Sequence, residues 1–352
     1  MTAGVLAGAR VLRRRRRLGP LWVPVAVVFL LGAMLVGVLV GPANLDAGGV
    51  VTSLLAHARV PGVHSHLSSV DETILWQIRM PRVVIGALVG AMLATAGASY
   101  QGVFRNPLAD PYLLGVAAGA GLGATLAVVY APARELLPPA AFVGGAVAVA
   151  LTYALGSAGG RDRSGATLVL AGVTVVSFLT AVQTFVQQQH ANTLQQVYSW
   201  ILGSLPSSGW SDVVLLLPYV GLALAVLLLH RRLLDVLSLG EEEAATVGID
   251  VGRVRLAVVV AATIGTAGAV AVSGLIGFVG IVVPHAIRLV VGSSYRLLLP
   301  LSVVVGAGFL VLADVVARTV LSPAEVPIGV ITAFCGAPFF AVVLRTSRKG
   351  FR

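Results

Sequence analysis

Charge is scarce in this sequence. Only 11% of its 352 residues are Asp, Glu, Lys or Arg, against about a quarter in soluble domains, and the mean hydropathy is +0.96. These values exclude a water-facing globule. Lysine is nearly missing, with Lys349 close to the C-terminus the single example. A P-loop needs a lysine inside GxxxxGK[ST], so the chain is not itself an ATPase. One cysteine, Cys335, allows no internal disulfide and no paired thiol ligands, and it reads as a small packing residue. HExxH, His/Cys clusters and carboxylate pairs at catalytic spacing are missing too. His57, His64 and His66 share one loop and are best read as solvated, and His285 beside Pro284 as structural. Ion-coupled transporters place ionisable residues deep in their helices. The best candidate is Asp314, alone near the outer end of its apolar run.

Apolar runs of about 20 residues, enough to span a hydrocarbon core, fill the rest. Hydropathy and turn signals predict an all-α polytopic membrane protein with about ten transmembrane helices, at 21–41, 83–104, 111–130, 139–158, 166–187, 211–230, 254–272, 274–291, 298–317 and 327–345. The seventh and eighth are separated only by Ser273-Gly274. The run from Leu21 is longer than a signal-peptide h-region and is expected to stay as the first helix. The chain divides into a basic N-terminus (1–20), one transmembrane domain (21–345) and a C-terminal tail (346–352). Within the domain, 42–82 forms an external loop and 231–255 a cytoplasmic one.

The formal charge of +10 follows from topology rather than nucleic-acid binding. With the N-terminus inside, 19 of the 24 Arg and Lys residues fall in cytoplasmic segments, and only Arg59, Arg79, Arg82, Arg134 and Arg318 lie outside. This is the positive-inside pattern, with both termini in the cytoplasm of a cell bounded by this membrane. Gly86-x-x-x-Gly90 and Gly115-x-x-x-Gly119 give the small-residue spacing of tightly packed bundles.

Several blocks then stand in a fixed order: LWQIRMPRVVIGALVGAMLATAGASYQGVFRNPLADPYLLGVAAGAGLGA (75–124), LSLGEEEAATVGI (237–249), SGLIGFVGIVVPHAIRL (273–289), LADVVAR (312–318) and EVPIGVITAFCGAPFF (325–340). Over about 70–345 the chain resembles the FecCD-type permeases of ABC importers, which carry ferric siderophores, haem and vitamin B12 across the bacterial inner membrane. The resemblance implies the type II ABC importer permease fold and a metal chelate as cargo, siderophore iron first, then haem or cobalamin. It implies no cofactor on this chain. Its partners would be two ABC ATPase subunits that use ATP and Mg, an extracytoplasmic substrate-binding protein, and a second permease subunit, most simply a copy of itself.

Site residues follow block by block. In IRMPR, Pro81 suits a first helical turn and sets Arg79 and Arg82 at the outer mouth. By resemblance these two and Arg318 receive acidic groups of the binding protein. Otherwise Arg79 and Arg82 snorkel to lipid headgroups, and Arg318 pairs with Asp314 four residues away. RNPLADP (105–111) reads as a structural turn in which Asn106-Pro107 stops one helix and Pro111 opens the next. In the loop 231–255, Ser238-x-x-Glu241 forms a capping box, Glu241, Glu242 and Glu243 favour a helix N-terminus, and Gly248 can end that helix. The family's coupling motif maps onto Leu239, Gly240, Glu241, Ala244, Ala245 and Gly248, while Glu242 and Glu243 also fit a solvated acidic face. Span five ends in Gln183, Thr184, Gln187 and Gln188, costly against lipid unless facing protein or water. By resemblance this helix lines the translocation path, with a cytoplasmic gate at Ser164, Gly165, Ala166 and Thr167. The competing reading is an ion-coupled secondary transporter.

Overall fold

Lipid offers no partners to backbone N–H and C=O groups, so spanning segments must close their own hydrogen bonds. In the computed structural model, which describes residues 21–131, 133–158, 165–205 and 209–349, helices and their connections account for every described residue and none is in a strand. Expectations on residues 1–20, Arg161, Arg163, Ser164 and 350–352 lie outside the described residues.

In chain order the helices are α1 (Trp22–Leu39), α2 (Ala47–His57), α3 (Ser69–Val103), α4 (Val116–Tyr130), α5 (Leu137–Ala158), α6 (Gly165–Gln189) and α7 (Leu194–Ile201). There follow α8 (Trp210–Leu229), α9 (Arg231–Leu237), α10 (Glu241–Thr246), α11 (Val251–Ser273), α12 (Val279–Val291), α13 (Tyr295–Thr319) and α14 (Ile328–Lys349). Ten of them coincide with the ten predicted spans, and α2, α7, α9 and α10 are short connecting helices. Seven are long and apolar enough to cross a bilayer, whereas α4, α12 and the apolar part of α14 are shorter. α3 and α11, the most buried, form the centre. There the small-residue pattern acts: a Cβ at Gly90 would lie 2.2 Å from the carbonyl oxygen of Gly306 on α13, and one at Gly97 only 2.0 Å from that of Gly280 on α12. Only glycine lets these backbones approach so closely.

Four local expectations are corrected. Pro81 does not open a helix, because helical backbone runs through it from Ser69. Its missing N–H is absorbed by a π-helical turn, Ile74–Arg79, which relaxes the clash with the preceding turn. The Trp76 carbonyl, in the position that the absent N–H would serve in such a turn, instead accepts from the Trp210 indole at 2.8 Å. The eighth span starts at Val279 rather than Gly274 because the backbone unwinds through 274–278, with Gly274 at φ 67° and Phe278 at φ 69°. Irregular backbone survives at this depth only inside protein, and the Tyr112 hydroxyl supports it, donating to the Ile276 carbonyl at 3.0 Å and accepting from its N–H at 3.1 Å. Pro111 likewise does not begin α4. An Asp110 turn, with the carboxylate accepting from Tyr112 N at 2.8 Å, delays the helix until Gly115 at φ 91°. Finally, the Ser238–Glu241 capping box is not formed. α9 runs to Leu237, so the Ser238 hydroxyl bonds back to the Asp235 carbonyl at 2.7 Å, and Gly240 becomes the N-cap of α10.

Candidate functional site

Two clusters of charge mark the two ends of the bundle. At the end that the arginine count assigns to the outside, Arg79, Arg82 and Arg318 are all buried, at 3%, 9% and 2% exposure. They do not stand free at the mouth. Arg79 donates to the Val38 and Leu39 carbonyls at 2.8 Å and to that of Ala43, while Arg318 donates to the Gly37 carbonyl at 2.6 Å. The last carbonyls of α1 lack intrahelical partners and carry the negative end of its dipole, so the two guanidinia anchor the first helix. Arg82 forms a double fork. It meets Asp314 at 2.8–3.1 Å and Glu325, in the loop before α14, at 2.8 and 2.9 Å.

Asp314 also faces Arg318, whose Nε lies 3.3 Å from Oδ2, an ion pair without hydrogen-bond alignment. The i,i+4 pairing is therefore present. Hydrogen bonding to Arg82, with the nearby positive charges of Arg82 and Arg318, holds the Glu325 carboxyl below the usual range. Beside this network opens a cavity of about 980 Å³ between α5, α7, α8, α11 and α13. His57 stacks on Trp76 at 3.8 Å, and no group of His, Cys, Asp or Glu among the described residues is placed to hold a metal.

At the opposite end, α9 and α10 form a compact excursion. Ala244 is fully buried, whereas Leu239 and Val247 are 73% and 66% exposed. Gly240 adopts φ 157°, which side-chain-bearing residues rarely do, and a Cβ there would also displace the Glu243 carboxylate. Gly248, at φ 81°, ends α10 as expected, its N–H bonding the Ala245 carbonyl at 2.9 Å. Glu241 bonds the buried Arg255 of α11 at 2.5 Å and lies 3.9 Å from Arg105, just past α3. One carboxylate thus ties the excursion to the two central helices. Asp235 of α9 accepts from Tyr295 N at 2.6 Å and Ser294 Oγ at 3.1 Å, capping α13 from another helix.

The polar end of α6 splits between two faces. Gln183 and Gln187 are buried, with Gln183 against Gly121 of α4, while Thr184 and Gln188 are exposed. The exposed face continues through Leu170, Val173, Phe178 and Phe185. Gly165, Ala166 and Thr167 form the first turn of α6.

Glu325, Arg255 and Asp235 were given no role of their own in the sequence reading, because their partners lie 14, 59 or more residues away in the chain.

The FecCD transport family profile matches residues 27–346. The chain belongs to the FecCD transport family. The match extends beyond the motif-bearing stretch and takes in most of α1, in keeping with the anchoring of that helix by Arg79 and Arg318. Among the relatives of this FecCD chain, the cobalamin import system permease protein BtuC of Halobacterium salinarum is 39% identical over 355 residues, covering 92% of this chain and 95% of the relative. The hemin transport system permease protein HmuU of Yersinia pestis is 37% identical over 288 residues, 78% and 84% of the two chains. The fold matches an inward-facing conformation of a metal-chelate type ABC transporter with a TM-score of 0.81 and 30% identity, over 93% of this chain and 99% of that one.

Proposed function

We propose that this chain is the membrane-spanning permease subunit of an ATP-driven importer of a metal chelate, with siderophore iron, haem and cobalamin as the candidate cargo. The observation that carries it is the family match from 27 to 346, joined to permease relatives of nearly the same length. In this reading two ATPase subunits supply the energy, using ATP and Mg. They bind the cytoplasmic end at the excursion of Leu239, Gly240, Glu241, Ala244, Ala245 and Gly248. Exposed Leu239 and Val247 leave apolar surface for a partner cleft to cover, and Glu241 passes the partner's motion to α11 through Arg255.

A binding protein would dock at the outer end built on Arg79, Arg82 and Arg318. It would meet Glu325 first and reach Arg82 only as that fork opens. A second copy would cover the open face of α6, putting Thr184 and Gln188 on a shared path with Gln183 and Gln187 behind them, and the gate at the cytoplasmic start of α6. Both termini would lie in the cytoplasm of a bacterial inner membrane. An ion-coupled carrier fits poorly, since Asp314, its one candidate coupling residue, is already engaged by Arg82 and Arg318.

The test is co-purification. Membranes expressing the tagged chain with its neighbouring ATPase and binding protein should yield a complex of two permeases and two ATPases, with hydrolysis stimulated by loaded binding protein. Recovery of the chain alone, with transport intact in cells lacking the ATPase, would refute the proposal.

A further inference from the structure

The cavity of about 980 Å³ lies away from the open face of α6 and has no part in the proposed path. Its walls change character with depth. At the rim stand Glu135, just before α5, and Asp212, in the first turn of α8, neither carboxylate with a hydrogen bond or ion pair among the described residues. Further in along α8 stand Leu216 and Tyr219, about 6 and 10 Å from Asp212, with Phe142 of α5 lining the same space. Among the described residues one cation also lines the space, Arg82, and both its edges are already taken by Asp314 and Glu325. The cavity thus offers unmatched negative charge at its top and hydrocarbon below. Val143 and Leu215 line it too and are 56% and 46% exposed on the outer surface of the bundle, so it opens sideways into lipid as well as upward.

We infer that this cavity is a binding site for one amine-headgroup phospholipid of the adjacent leaflet, its ammonium at Glu135 and Asp212 and one acyl chain along Phe142, Leu216 and Tyr219. The polarity gradient of the cavity runs parallel to that of a bilayer leaflet, headgroup to hydrocarbon, and the lateral opening between α5 and α8 gives a lipid an entry that a water-borne ligand does not need. The rim charge selects among headgroups. An ammonium pairs with the two carboxylates, and an anionic glycerol headgroup does not.

The test is native mass spectrometry of the full chain, purified in detergent and offered phosphatidylethanolamine and phosphatidylglycerol of identical acyl chains in equal amounts. Wild type is expected to retain the ethanolamine lipid over the glycerol lipid by about fivefold, the scale of a partly exposed ion pair. Glu135→Gln with Asp212→Asn brings the ratio near one, and each single substitution lowers it partway. Val143→Trp, at the lateral mouth, reduces retention of both lipids. A wild-type ratio near one, an unchanged ratio in the variants, or displacement of the lipid by soluble glycerophosphoethanolamine would overturn the inference. The wild-type ratio decides alone if the double variant does not remain monodisperse.

Discussion

Asp314→Asn removes the one charge shared by two buried guanidinia. In the wild type Asp314 is 2% exposed and stands between Arg82 and Arg318, whose side chains are 10% and 2% exposed. The substitution leaves Arg82 its second fork to Glu325, but Arg318 keeps only the Gly37 carbonyl. Breaking a buried pair by removing one partner costs about 3–5 kcal/mol, because the surviving charge stays out of water. Since Arg82 keeps Glu325, the loss should fall near the low end, about 3 kcal/mol. Glu325→Gln provides the internal comparison. It removes the other fork of the same arginine, but its side chain is 42% exposed, and pairs that open to solvent are worth about 1 kcal/mol or less. Reversible unfolding in mixed micelles, followed by tryptophan fluorescence, should separate the two by about 2 kcal/mol. Equal losses would refute the view that Asp314 is the network's buried anchor.

Glycine packing can be tested by contrast: Gly97→Leu, which meets the Gly280 backbone at 2.0 Å, should abolish folded protein on size exclusion, whereas Gly221→Leu, with open space around it, should leave it intact. Tyr112→Phe strips the hydroxyl from both polar groups of Ile276 and should destabilise by about 1–3 kcal/mol in the same unfolding assay, with faster hydrogen exchange confined to 274–278. The Glu325 carboxyl is held below its ordinary range. Its contribution to stability is therefore fully present above the unfolded carboxylate value of about 4.3 and lost as pH falls through the lower folded value. Unfolding measured across that acidic window should show a pH slope that Glu325→Gln reduces. Glu241→Gln should leave the bundle folded but weaken ATPase stimulation in the assembled complex, and Arg255→Gln should reproduce the defect.

Span number and order were legible because lipid imposes one rule on every segment and leaves long apolar runs as its trace. The places where reading failed are those where a backbone group is satisfied by something distant. Pro81 looked like a helix start because nothing in IRMPR shows that Trp210 will take the Trp76 carbonyl. Ser273-Gly274 marked the break between α11 and α12 correctly, but its extent depended on Tyr112, far away in the chain. The outer arginines were singled out by their unusual side of the membrane, yet their burial was hidden, since the carbonyls of α1 and the carboxylate of Glu325 carry no local signature beside them. Gly248 was read as the end of the α10 excursion, but its start was expected at Ser238 rather than Gly240, and its anchor, Arg255, was counted only as one more basic charge.

The central claim is chelate import powered through the cytoplasmic excursion, and uptake tests it most directly. Cells lacking this chain and any redundant importer would be given radiolabelled ferric siderophore, haem or cobalamin, then complemented with wild type or with Glu241→Arg, each checked for membrane level. The account predicts that wild type restores one of the three and Glu241→Arg does not. If deleting the chain leaves all three uptakes unchanged, or if Glu241→Arg transports as well as wild type, the account is contradicted.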